Sequence, residues 1–344
     1  MKKNFFLNTL NNCYIIAEIG VNHNGDINLA EKMIYEAKLA GADAVKFQSF
    51  RANRLVTKDT PKVKYQIMTS NSGESHYEML KKLELSNKDH HRLFKYCNTL
   101  NIDFISTPYD IESAKFLNNL GVLLFKTASA DLTDLPLHNY IASTGKPVLI
   151  ATGMANMEEI QDVVSVYSGS SCELLLLHCV SNYPATDMSL NLKALNLLSL
   201  KFKLSIGFSD HSLGSLASCL AVALGSKVIE KHFTLQKNMP GPDHKASATP
   251  LEFSKLVKDI RRTELMLGSE SKFVQPEELE MLKVSRKSVV AATKIQAGQK
   301  IKAEHLLLMR PGEGIPAKFI TSIIGRTTSR DIAKHERISW KDFD

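Results

Sequence analysis

His211 and His232 are the residues of this chain most able to hold a metal ion together. Each ends a short apolar run, SIGFSDH (205–211) and KVIEKHF (227–233). If those runs are consecutive parallel strands, about 4.8 Å apart, both imidazoles reach one divalent ion. Two imidazoles with open coordination positions suit Mn²⁺, Zn²⁺ or a related ion acting as a Lewis acid. The competing reading is a His211 that caps the following helix and a His232 hydrogen-bonded in the core. Lys46 and Lys126 end two other apolar runs, AVKFQ (44–48) and LLFKTASAD (123–131). Strand alternation puts Lys46 and Gln48 on one face and Val45 and Phe47 on the other. It likewise groups Ser209 with His211, and Glu230 with Val228 and His232, leaving Lys231 opposite. Two inward ammonium groups call for an anionic partner, because an unpaired buried charge is costly or is neutralised. The hydroxyls of Thr107, Ser129 and Ser181 stand at or just after run ends and could cradle a phosphate and a carboxylate, although each is also ordinary turn chemistry. Asp131 and Glu18 could each act as a base or anchor a hydroxyl; salt bridges to Lys46 or Lys126 compete with those roles.

Such residues need a scaffold that brings run ends together. Eight runs qualify as strands: 13–20, 44–48, 104–108, 123–131, 147–153, 174–184, 205–211 and 227–233. Helix-like stretches separate them. In 27–40 the residues Ile27, Ala30, Ile34 and Ala37 form a stripe, with Asp26 and Gly41 as caps. In 249–267, Thr249 and Glu252 form a capping box with Pro250 at the first helical position, while Leu256, Ile260, Leu265 and Leu267 supply apolar surface. A closed parallel (β/α)8 barrel brings all eight strand ends to one face. Segment 50–90, with the polar centre TSNSGESHYE (69–78), is long for a connection and reads equally as a lid or as a surface insertion. The expected organisation is a barrel over 1–270, a charged, partly helical linker over 271–284 and a small β-rich domain over 285–344.

Composition narrows the partners. The net charge of +7 over 344 residues is dispersed rather than gathered in a basic, aromatic-rich run. That argues against nucleic acid and suits an anionic small molecule. Five scattered cysteines without a CxxC pair fit reduced thiols and a cytoplasmic setting. Cys179 reads as a small buried residue rather than a nucleophile. No run is long enough to span a bilayer, and MKKNFFLNTLNN lacks the features of a signal peptide.

Phrases along nearly the whole chain resemble the sialic acid synthase family. They are AEIGVNHNGD (17–26), ADAVKFQSF (42–50), FISTPYD (104–110), ATGMANMEEI (151–160), LLHCVSNYPA (176–185), GFSDHSLG (207–214), VALGSKVIEKHFTL (222–235), MPGPDHKAS (239–247) and RPGEGI (310–315). The resemblance implies a TIM barrel followed by an SAF, or antifreeze-like, domain that swaps over a partner's barrel in a homodimer. It implies condensation of phosphoenolpyruvate with the aldehyde of an N-acylated hexosamine, with release of phosphate. On that basis His211 and His232 bind the metal, usually Mn²⁺. Lys46, Thr107, Lys126, Ser129, Ser181 and Ser209 hold phosphoenolpyruvate. Gln48, Tyr183 and Asp243 face the sugar, and Arg310 reaches a partner's site. The catalytic set is Asp131, Glu18 and Lys126. Asp131 stands where many bacterial members carry Glu, and Ala151 stands where a serine is common. The acceptor is N-acetylmannosamine, as in N-acetylneuraminate synthases, or alternatively 2,4-diacetamido-2,4,6-trideoxymannose, as in legionaminate synthases. A Schiff-base pyruvate aldolase and a non-catalytic sugar-binding barrel are the competing classes.

Overall fold

The computed structural model describes residues 10–63, 66–67 and 73–343. Most of the N-terminal MKKNFFLNTLNN stretch and TSNS (69–72), the start of the long connection's centre, lie outside the described residues. The chain forms two compact units, Met1–Gly268 and Ser269–Asp344.

The first unit is the parallel barrel expected from the apolar runs. Its strands are β1 (Tyr14–Gly20), β2 (Ala44–Ser49), β3 (Asp103–Pro108), β4 (Phe125–Thr127), β5 (Val148–Ala151), β6 (Leu174–Cys179), β7 (Ser205–Asp210) and β8 (Val228–His232). They hydrogen-bond in the order β3-β2-β1-β8-β7-β6-β5-β4, and β3 and β4 pack side by side to close the ring. Alternation sorts the side chains into two layers. Ile16, Ala44, Leu149, Leu175, Leu177 and Val228 fill the interior. Ile15, Val45, Phe47, Leu176, Phe208 and Ile229 pack outward against the helices. Phe47 is fully buried and stacks on Phe104 with ring centroids 5.6 Å apart. Burying such a side chain stabilises the fold by about 1.5–3 kcal/mol.

The helices begin where their caps place them. Asp26 accepts from the backbone of Asn28 and Leu29 to start Ile27–Leu39. Thr249 and Glu252 form the capping box of Pro250–Leu267. Only the first part of that second helix meets the barrel. Phe253, Leu256 and Ile260 are buried, but Leu265 and Leu267 are 82% and 51% exposed, so the apolar surface anticipated from those two leucines finds no core. The long connection contains helices Ala52–Leu55, His76–Leu83 and Asn87–Leu100. Among the described residues, no helix is long and apolar enough to cross a membrane.

In the second unit, β9 (Ser288–Ala291) pairs antiparallel with β10 (Leu306–Met309). Isolated bridges extend this pair, and Val289, Ile295, Ile301, Ile315, Ile332 and Ile338 form a core of its own.

Candidate active site

The strand ends converge on a cavity of about 960 Å³ within the first unit. Every barrel residue singled out from the sequence lines it: Glu18, Lys46, Gln48, Thr107, Lys126, Ser129, Asp131, Ser181, Tyr183, Ser209, His211, His232 and Asp243. Arg310 is an exposed residue of the second unit. Ala151 also lines the cavity, and so do Leu55, Val56, His76, Met79 and Leu80 from the long connection.

The floor is ionic. Lys46 Nζ lies 2.6 Å from Glu18 Oε2 and 3.7 Å from Glu230 Oε2, and it donates to Thr107 Oγ1 at 3.0 Å. Lys126 Nζ lies 3.5 Å from Glu230 Oε1, which also accepts from Ser209 Oγ at 2.9 Å. Gln48 Nε2 donates to Glu18 Oε1 at 3.2 Å. Strand register produces this cluster, because Glu18 stands opposite Lys46 on one side and His232 on the other, and Ser209 stands opposite Glu230. The charge argument from sequence therefore needs correction. Two inward lysines do not by themselves demand a ligand anion, since Glu18 and Glu230 balance them. Glu230 was placed on the inward face, yet sequence reasoning gave it no role. The available signal was an acid at an inward position of an otherwise apolar run.

The carboxyls of this floor differ. Burial raises Glu18 to about 7 against the pull of Lys46. Burial opposes ionisation of Glu230 too, but Lys126 and Lys46 outweigh it and hold that carboxyl at about 2. Burial lowers Lys126 from its ordinary value despite Glu230. Asp131 follows β4 in a short 3-10 turn, Ser129–Asp131. Burial, with Asp134 nearby, raises it to about 7, and its Oδ2 has no hydrogen-bond partner.

Ser129 Oγ lies 3.0 Å from Cys179 Sγ and accepts from the Gly153 amide at 3.0 Å. A β-carbon at Gly153 would stand 2.5 Å from Ser181 Oγ, 2.7 Å from Cys179 Sγ and 2.8 Å from Ser129 Oγ. Burial raises the Cys179 thiol above its ordinary value, which keeps it protonated.

The imidazoles of His211 and His232 face each other with centroids 5.5 Å apart. Tyr183 lies over His211 at 4.2 Å and meets His232 edge-on at 5.4 Å. His211 Nδ1 lies 2.7 Å from the Val180 carbonyl, so Nδ1 carries the proton and Nε2 keeps its lone pair. Burial lowers both imidazoles, His232 well below its ordinary value with His211 adding to the effect. His232 Nδ1 is buried without a hydrogen-bond partner and lies 4.0 Å from Asp243 Oδ2. Burial raises Asp243 to about 6. Two neutral facing imidazoles, one with an orphaned nitrogen, are a donor set that fits a divalent ion with open positions. No cluster of three or more His, Cys, Asp or Glu arranged for a metal occurs among the described residues.

Residues 33–272 match the NeuB family, and residues 286–344 match the SAF domain. The chain belongs to the NeuB family. This NeuB-family chain is 44% identical to the N,N'-diacetyllegionaminic acid synthase of Legionella pneumophila, over 96% of the chain and 95% of that protein. It is 36% identical to the N-acetylneuraminate-9-phosphate synthase of Mus musculus, over 91% of the chain and 88% of that protein. Among solved structures it resembles the N-acetylneuraminic acid synthetase of Leptospira borgpetersenii, with a TM-score of 0.72 and 35% identity, covering 79% of the chain and 90% of that structure. The protein is thus an enzyme of the nonulosonic acid synthase class.

Proposed function

We propose that the protein condenses phosphoenolpyruvate with the aldehyde of an N-acylated mannosamine-type sugar, adds water and releases phosphate. The observation that carries this reading is the gathering of hydroxyls, balanced ammonium groups and two facing imidazoles around one cavity. Lys46, Lys126, Thr107, Ser129, Ser181 and Ser209 hold the phosphate and carboxylate of phosphoenolpyruvate. The lysines exchange part of their pairing with Glu18 and Glu230 for the substrate's anions. Gln48, Tyr183 and Asp243 orient the sugar. C3 of phosphoenolpyruvate attacks C1 of the open-chain sugar; the carbon–carbon bond forms as the aldehyde's π pair moves onto its oxygen, which takes up a proton, and C2 becomes cationic. Water then adds at C2, losing one proton to Asp131 or Glu18, and the C2–oxygen bond to phosphate breaks as the remaining C2 hydroxyl proton passes to the departing phosphate and C2 becomes the ketone. Both carboxyls lie near neutrality, where a group serves best as a base. Lys126 and Lys46 stabilise the charge that grows on the departing phosphate. A divalent ion held by His211 and His232, Mn²⁺ by the family resemblance, would supply Lewis acidity at the sugar's C1 oxygen.

The acceptor reading is N-acetylmannosamine, giving N-acetylneuraminate. The second reading is 2,4-diacetamido-2,4,6-trideoxymannose, giving a legionaminate, and the 44% identity to a protein of that name favours it. By the same resemblance a second copy of the chain completes the site with Arg310 in a homodimer. Purified enzyme incubated with Mn²⁺, phosphoenolpyruvate and each sugar should release phosphate and give a product whose mass is that of sugar plus phosphoenolpyruvate plus water, less phosphoric acid. Trapping of a pyruvate adduct by borohydride would instead mark an imine-forming aldolase.

A further inference from the structure

We propose that two hydrogen-bonded ties, Asn22–Ser247 and Thr234–His244–Asn24, position Asp243 opposite His232 and so act on the acceptor sugar without touching it. This rests on the synthase reading, in which Asp243 orients that sugar. Two phrases that the site left largely without roles meet here. The turn after β1, VNHNGD (21–26), lies against MPGPDHKAS (239–247), the segment beyond β8 that carries Asp243. Asp243 lines the cavity, whereas none of the five tie residues does.

The first tie starts at Asn22. Its Nδ2 donates to the Phe233 carbonyl at 2.9 Å and to Ser247 Oγ at 2.8 Å. Ser247 Oγ in turn donates to the Asp243 carbonyl at 2.7 Å. One amide thus spans the residue after His232 and, through a hydroxyl, the backbone of Asp243. The Ala248 amide closes the loop by donating to the His232 carbonyl at 2.8 Å. The second tie grips His244, the chain neighbour of Asp243. Asn24 Nδ2 donates to the Pro240 carbonyl at 2.8 Å, which leaves its Oδ1 to accept from His244 Nε2 at 3.3 Å. His244 Nδ1 is then the acceptor for Thr234 Oγ1 at 2.7 Å. The packing leaves little slack, since a β-carbon at Gly241 would stand 2.7 Å from both Asn24 Oδ1 and His244 Cδ2. Both ties hold backbone or a neighbouring ring, so the Asp243 carboxylate stays turned to the cavity, its Oδ2 4.0 Å from His232 Nδ1. Stability alone does not account for Asn22. It is fully buried, yet its Oδ1 has no hydrogen-bond partner. An orphaned buried oxygen is costly, so the worth of this amide lies in what its nitrogen holds.

The test uses full-length enzyme with Mn²⁺ and phosphoenolpyruvate. Phosphate release is measured with N-acetylmannosamine and with the diacetamido sugar, and the variants are compared on whichever the wild type uses better. Ser247→Ala removes one oxygen from the first tie. Thr234→Val removes one from the second with little change of shape. Each should raise the KM for the sugar by ~5- to 30-fold, the scale of a displaced hydrogen-bonding group, while the KM for phosphoenolpyruvate holds. In an Asp243→Ala background the same substitutions should change the sugar's KM by less than ~2-fold, because residues that act through one group are not additive. A merely structural role would leave the effects additive. A sugar KM unchanged in either folded variant, or equal effects with and without Asp243, overturns the inference and leaves the synthase reading standing. An Asp243→Ala enzyme with an unchanged sugar KM takes Asp243 out of that reading, and the inference falls with it. Absence of phosphate release by the wild type with both sugars overturns the synthase reading itself.

Discussion

Two buried charge clusters sit back to back on β7 and β8, and they are finished differently. On the outer face, Lys231 Nζ lies 2.7 Å from Asp210 Oδ2 and donates to the Ser212 carbonyl at 2.7 Å. Asp210 also accepts from the Ser212 amide and hydroxyl at 2.8 and 2.6 Å and from Ser218 Oγ at 2.6 Å. Both carboxylate oxygens are engaged. On the inner face of β8, on either side of Lys231, Glu230 Oε2 and His232 Nδ1 have no hydrogen-bond partner, and neither does Asp131 Oδ2 across the cavity. A satisfied buried cluster holds strands in register, whereas an unsatisfied one keeps capacity for a ligand. The outer pair thus fixes the backbone beside both imidazoles, and the inner groups keep their valence for chemistry.

This contrast can be broken by experiment. The largest effect is expected from His211→Ala or His232→Ala. Either should abolish Mn²⁺ binding, read by electron paramagnetic resonance, and lower kcat/KM by at least ~10³-fold, equivalent to several kcal/mol. Unfolding should change far less than activity. Asp210→Asn should do the reverse in kind. It strands the Lys231 ammonium and should cost about 3–5 kcal/mol in denaturant unfolding. Glu230→Gln, on the inner face, should cost less stability and more activity. Equal stability losses at 210 and 230 would erase the distinction. Lys126→Ala should raise the KM for phosphoenolpyruvate by ~10- to 100-fold, the worth of charge-assisted hydrogen bonds to an anion. Unchanged saturation by that substrate removes Lys126 from its role. The smallest effect is at Asp131, whose folded pKa stands at about 7, above an unfolded carboxyl. Its contribution to stability is full below the unfolded value of about 3.9 and is lost as pH rises through the folded value. Asp131→Asn should therefore leave the melting temperature unchanged near pH 4 and raise it by a few degrees at pH 8. If Asp131 is the base, the acid limb near pH 7 in the wild-type rate profile should also vanish.

The strands were legible because each is a compact apolar run in a sheet covered on both faces, and because alternation is strict. Lys46, Ser209 and His232 could be turned inward by counting from Phe47, Phe208 and Lys231. Compensation among charges was legible only in part. A salt bridge from Glu18 to Lys46 stood as a competing reading and forms across β1 and β2, whereas Glu230, which reaches Lys126 across the barrel interior, had been given no role. Such pairings follow from register and barrel closure, which no local run encodes. Residues 50–90 read ambiguously for a similar reason. The helix His76–Leu83 announces itself by its cap, but only tertiary packing turns Met79 and Leu80 toward the cavity. Leu265 and Leu267 kept helical periodicity beyond the point where there was anything to pack against.

The crowding around Gly153 has an evolutionary consequence. Side chains from the ends of β4 and β6, the strands either side of β5, meet where a methyl group would have to go, with Ser181, Cys179 and Ser129 all closer than 3 Å to it. Even alanine at 153 would push on three neighbours at once. The oxygens assigned to one substrate are therefore tied to a shared empty spot, and none can drift without the others. Change has an easier route across the cavity, where Leu55, Val56 and Leu80 are only half-buried and can be exchanged one at a time.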